Sequence, residues 1–148
     1  MKIKLQSKLD CTPEAAWAEV KKVSLLQHVA RPIVTFSPLA PATAFPEYWP
    51  SDETVTLNFK IFNFISFGTH SLFFETMDER ERKLQTREKS LLLKQWDHLI
   101  HIYSHEGQTI YSDEVEIDAG ILTPVVWVFA QIFYRHRQRR WRKLAQSL

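Results

Sequence analysis

The chain has 148 residues, 45% of them hydrophobic and 24% charged, the balance of a folded chain of single-domain size and not of a disordered one. One cysteine excludes an internal disulfide framework, and three scattered glycines exclude a glycine-rich phosphate cradle. Net charge is only +2, yet Arg135, Arg137, Arg139, Arg140, Arg142 and Lys143 crowd the closing segment with no acid after Ile121, so the body that holds all 17 acids is net acidic.

Met1 to Leu5 alternates charged and apolar residues and lacks the apolar block of a leader peptide. The longest apolar run, Val125 to Phe133, is interrupted by Gln131 and falls short of the ~20 residues that span a bilayer. A cytoplasmic protein is expected.

Residues 2–10 place Ile3, Leu5, Ser7 and Leu9 on one face and Lys2, Lys4, Gln6 and Lys8 on the other, the pattern of a half-buried strand. Thr12-Pro13-Glu14 opens a helix, with Thr12 as cap and Pro13 at its first position. A second short helix spans about 24–29 and ends before Arg31-Pro32. Residues 33–39 form a strand. The stretch 38–50, with four prolines and the anchors Phe45, Tyr48 and Trp49, is a loop. Period-two patterning then marks strands at about 54–63, 66–77, 83–91, 95–105 and 109–118, joined by turns short enough for an antiparallel meander.

Ala119-Gly120 ends the alternation. Beyond it, Leu122, Val126, Phe129, Phe133, Arg137, Arg140 and Leu144 recur at spacings of three and four, so the last element is a long helix, apolar early and basic late. Its cations are expected to meet Asp10, Glu14 and Glu19 on the body, and those near its C-terminus also complement the helix dipole. Strand, two helices, six strands and a long helix make an α+β chain in which a curved sheet of about seven strands needs its concave apolar face covered, and the long helix is the element left to cover it.

This order resembles the helix-grip fold of the START/polyketide-cyclase (SRPBCC) superfamily. The local match lies in Thr12-Pro13-Glu14-Ala15-Ala16-Trp17, similar to the family's first strand-to-helix turn. It continues in Asp118-Ala119-Gly120-Ile121-Leu122-Thr123 and in Phe133-Tyr134-Arg135-His136-Arg137 through Trp141. The resemblance covers 1–148 and implies one domain with a cavity between sheet and helix. It does not choose among lipid carriers, hormone receptors, cyclases and hydrolase-like members.

Strand parity nominates the cavity wall. Phe59, Leu72, Phe74, Ile100, Phe129 and Phe133 are its expected apolar members. Thr86, Trp96 and Tyr111 share the inner face, and His70, Glu88, His98 and Asp113 are expected there as polar members. Turns near 92 and 107 set Glu88 almost opposite His98, with Asp113 on the next strand, and cross-strand neighbours lie roughly 5 Å apart. Three readings of these polar groups stay open: a self-satisfied structural network, anchors for the polar end of an apolar ligand, or acid–base catalysis by Glu88, His98 and Asp113. No metal is expected, because His98 and His101 have opposite parity. No cofactor is expected either. Cys11 reads as a buried small residue and not a nucleophile. The charge run 78–82 reads as a solvated hairpin tip.

The expected function is therefore binding of an apolar small molecule or lipid. The alternatives are a cyclase- or hydrolase-like reaction at a buried Glu–His pair, or docking of Arg135 to Lys143 on an anionic membrane or a partner. No nucleic acid is expected, since one basic helix on an acidic body carries no reading motif.

Overall fold

The computed structural model describes residues 1–148. Alternation builds β1 (Lys2–Leu9), which buries Ile3, Ser7 and Leu9 and turns its lysines outward. The Thr12 hydroxyl accepts the Ala15 N–H at 3.1 Å and so starts α1 (Pro13–Val20), with Pro13 in the first turn where no N–H is needed. α2 (Val23–Ala30) follows and buries Val23, Leu25, Val29 and Ala30.

The remaining strands are β2 (Val34–Pro38), β3 (Thr54–Ile61), β4 (Ile65–Asp78), β5 (Lys83–Ser90), β6 (Gln95–His105) and β7 (Gln108–Asp118). A 3-10 turn at Gly120–Leu122 leads into α3 (Thr123–Ala145). The seven strands form one sheet in the order β1-β7-β6-β5-β4-β3-β2, every neighbour antiparallel. Only β1 leaves sequence order; it pairs with β7 because α1 and α2 carry the chain away before the meander begins. The β6–β7 hairpin closes on Glu106-Gly107, both at positive φ (51° and 76°), the two-residue turn whose twist suits adjoining strands.

Register shifts at Asn58/Lys60 and at Phe74/Thr76 bend β3 and β4. The sheet curves, and α3 lies in its concavity, in contact with β1, β7 and α2. The buried apolar side chains fall into two clusters. One gathers around Trp17, Trp49, Phe74 and Trp141, the other around Trp96, Phe133 and Tyr134.

Two expectations are corrected by this packing. The charged tip 78–82 is not merely solvated: Glu79 accepts from the Trp17 indole at 2.6 Å and from Lys21 at 3.1 Å, and Arg82 donates to Glu14 at 2.7 Å. The hairpin tip is thereby tied to α1. The cations of α3 do not reach Asp10, Glu14 or Glu19, because Glu14 is held by Arg82 and Glu19 by Lys22. Arg140 and His136 instead donate to the backbone carbonyls of His28 and Arg31 at 2.8 and 2.6 Å, capping the C-terminal end of α2. Cys11 is only half-buried; burial, then the nearby Asp10 charge, pushes its thiol up.

Phe74 is 1% exposed and stacks on Trp49 with centroids 5.0 Å apart. Phe74→Ala is expected to cost about 3–5 kcal/mol, read from the urea midpoint at unchanged slope. A loss below about 1 kcal/mol would contradict this placement in the core.

Candidate functional site

Between the curved sheet and α3 lies a cavity of about 180 Å³, lined by 28 residues, 22 of them hydrophobic. It draws its wall from both apolar clusters, with Leu72, Leu84 and Ile100 from the sheet and Phe129, Phe133 and Trp141 from α3. Leu92, on the β5–β6 loop, lines the cavity and is 44% exposed, so the wall reaches the surface there. The loop 38–50 contributes only Trp49; α2 contributes Leu25, Leu26 and Val29.

Of the residues nominated by strand parity, Phe59, His70, Leu72, Thr86, Glu88, Trp96, His98, Ile100, Tyr111, Phe129 and Phe133 line the cavity. Two do not. Phe74 keeps the inner face, opposite Thr86, but packs into the core on Trp49. Asp113 is 0% exposed and lies behind His98 and Tyr111, which reach it with hydrogen bonds.

The expected Glu88–His98 pair does not form. The register puts Trp96 opposite Glu88 and Thr86 opposite His98. Two separate imidazole–carboxylate pairs form instead, each between diagonal neighbours on adjacent strands. Leu72 is opposite Glu88, and His70, two residues before it, reaches Glu88 Oε2 at 2.7 Å. Ile100 is opposite Asp113, and His98, two residues before it, reaches Asp113 Oδ1 at 2.7 Å. Long side chains span such diagonals on one face.

Both carboxylates are fully engaged. Glu88 Oε1 accepts from the Thr86 hydroxyl at 2.7 Å. Asp113 Oδ1 also accepts from the Tyr111 phenol at 3.0 Å, and its Oδ2 accepts from Gln138 Nε2 at 2.9 Å. Gln138 in turn accepts from the Ser7 hydroxyl at 2.6 Å and donates to the Leu5 carbonyl at 3.0 Å. Burial alone would raise both carboxyls, but hydrogen bonds and charge from the histidines and other neighbours outweigh it, so Glu88 and Asp113 sit below their ordinary range. Burial also pushes the Tyr111 and Tyr134 phenols up, so both stay protonated at neutral pH; Tyr111 donates to Asp113, and the Tyr134 oxygen accepts from the Trp96 indole at 3.0 Å.

The cavity residues not nominated from sequence include three on the late turns of α3: Tyr134, Arg137 and Trp141. The seat of α3 is rotated from the expected stripe. Leu122 is exposed, and the buried face runs through Ala130, Phe133, Tyr134, Arg137, Gln138, Trp141 and Ala145. A readable signal was the spacing Tyr134, Gln138, Trp141, which marks a face of α3 that carries polar atoms inward. Arg137 is 8% exposed, with its guanidinium 4.8 Å from the Tyr134 ring centroid and 5.6 Å from that of Phe133. Burial opposes its charge, but Tyr134, Tyr111, Asp113 and Glu88 outweigh burial, and it stays cationic. His101 stacks on Tyr103 and His105 faces Glu106, both apart from the cavity.

A curved seven-stranded antiparallel sheet gripping a long C-terminal helix is the helix-grip fold, and solved structures, a START superfamily protein among them, match it along nearly the whole chain. Protein CV1439 from Chromobacterium violaceum aligns with a TM-score of 0.75 at 11% identity, covering 98% of this chain and 96% of that one. A START superfamily protein from Mycobacterium smegmatis aligns with a TM-score of 0.68 at 13% identity, covering 99% and 97%. Ara h 8.0201 aligns with a TM-score of 0.69 at 8% identity, covering 100% and 99%. At these identities the likeness is one of fold. No curated protein matches the sequence. Residues 7–145 match the model of a domain of unknown function, DUF8410, and the chain belongs to that family.

Asp113 links three elements, so its charge is a stability device. A carboxyl held below its ordinary value of 3.8 contributes stability that is present above that value and lost as pH falls through the depressed one. Asp113→Asn is expected to destabilise the fold at pH 7 by about 3–5 kcal/mol, and the gap to wild type should narrow as pH drops below about 4. Chemical denaturation at stepped pH reads this; a gap independent of pH would contradict it.

Proposed function

We propose that this protein binds one apolar small molecule in the cavity between its sheet and α3. The observation that carries the reading is the cavity itself. Its wall is mostly apolar, with a few polar groups gathered from β4, β5, β6 and α3, the make-up of a small-molecule site. At about 180 Å³ it is modestly larger than the roughly 150 Å³ apolar cavity that accepts benzene. That size favours one or two rings or a medium-length chain over a two-tailed lipid.

Anchoring is favoured over acid–base catalysis at the Glu–His pairs. Both oxygens of Glu88 are committed to His70 and Thr86, and Asp113 is shut behind its partners. Docking of the basic segment on an anionic surface draws less support. Arg137 is buried, Arg140 and His136 are spent on α2 carbonyls, and Arg135 bonds Gln131 on its own helix.

The test is cavity filling. Phe129→Trp and Ile100→Trp, each placing a larger ring in the wall, are expected to weaken uptake of the two-ring fluorophore naphthalene by at least about tenfold while circular dichroism stays unchanged. Phe74→Leu, outside the cavity wall, should bind naphthalene as wild type does. Undiminished binding by both tryptophan variants would move the naphthalene site elsewhere.

A further inference from the structure

Every buried polar side-chain atom left without a hydrogen bond belongs to a residue of the cavity wall: His70 Nδ1, Arg137 Nε and Trp141 Nε1. Buried polar groups are normally paired, so three orphans around one space say something about what fills it. Two of them, the arginine and indole N–H groups, can only donate. Arg137 and Trp141 are four residues apart on α3 and therefore share a face.

The guanidinium is the least satisfied group of the set. It stacks on Phe133 and Tyr134 but makes no hydrogen bond and no ion pair. Every oxygen of the two acids in its neighbourhood already accepts a hydrogen bond from another residue, Glu88 from His70 and Thr86, and Asp113 from His98, Tyr111 and Gln138. A cation with five donors, held in place by aromatic faces and denied acceptors from the protein, is complementary to a planar anion that takes two parallel N–H bonds.

We propose that the bound molecule is an apolar carboxylic acid, its carboxylate held by Arg137 with Trp141 beside it and its hydrocarbon part lying against Leu72, Leu84 and Ile100. This rests on the reading of the cavity as an apolar binding site and specifies the class of molecule it takes. The alternative role for Arg137, a purely structural stack on two rings, makes no demand on the ligand's head group.

Two ligands of equal chain length separate these roles. Decanoate and 1-decanol are titrated calorimetrically into the full chain at pH 7.5, with naphthalene uptake as the reference for the cavity. Wild type is expected to bind decanoate at least about tenfold more tightly than 1-decanol. Arg137→Met should abolish that preference while leaving 1-decanol affinity within about threefold, and Arg137→Lys should keep part of it. Equal affinity for acid and alcohol in wild type, or a preference that survives Arg137→Met, overturns the assignment. If naphthalene binds and the acid is not preferred, the carboxylate assignment fails and the apolar site stands. If neither naphthalene nor either decane derivative binds, both readings fail. The wild-type comparison decides the matter even if Arg137→Met folds poorly.

Discussion

The structure turns on a buried carboxylate. Asp113 takes hydrogen bonds from His98 on β6, Tyr111 on its own strand and Gln138 on α3, and Gln138 passes the connection to Ser7 and Leu5 on β1. Three elements, β6, β7 and α3, meet at one anion that is 0% exposed, and β1 joins them through Gln138. Removing any one partner leaves a buried charge short of a donor, so the set is held together more strongly than its pairs taken singly. This hub fixes how far α3 stands from the sheet.

That distance explains how a core with tightly buried side chains can retain a cavity. Near the hub, α3 is pinned to β1 and β7 by polar contacts. Farther along, the bulges in β3 and β4 carry the sheet around the helix, and the aromatic side chains on α3 meet the sheet only in part. An apolar space bounded this way is not closed by collapse, because bringing the walls together would break the Asp113 hydrogen bonds. The same geometry sets Arg137 one residue before Gln138, so the residue that fixes the helix and the residue that faces the cavity are neighbours in the chain.

Much of this could be read from the residues. Alternation located all seven strands to within a few positions, and Thr12-Pro13 marked the start of α1, because those signals are local. The inner faces of β5, β6 and β7 were legible for the same reason: parity survives small errors in strand ends. Pairing was harder. His70–Glu88 and His98–Asp113 are diagonal contacts, and which diagonal forms depends on register and on the reach of the side chain, neither of which is written in one strand. Phe74 was misplaced because parity gives the face of a strand and not what packs on it, and Trp49 from the loop 38–50 stacks there. The rotation of α3 escaped because Leu122 and Arg140 fit an amphipathic stripe as well as Tyr134 and Trp141 do, and only the sheet's curvature chooses between them.

The claim that matters most is that the molecule this protein binds sits inside, between sheet and helix. Intermolecular nuclear Overhauser effects from naphthalene to methyl-labelled protein test it directly, since leucine and isoleucine methyls lie both in the cavity and on the surface. The account expects contacts to Leu72, Leu84 and Ile100, which line the cavity, and none to Leu91 and Ile121, which are 91% and 95% exposed. Contacts confined to Leu91 and Ile121 would contradict it.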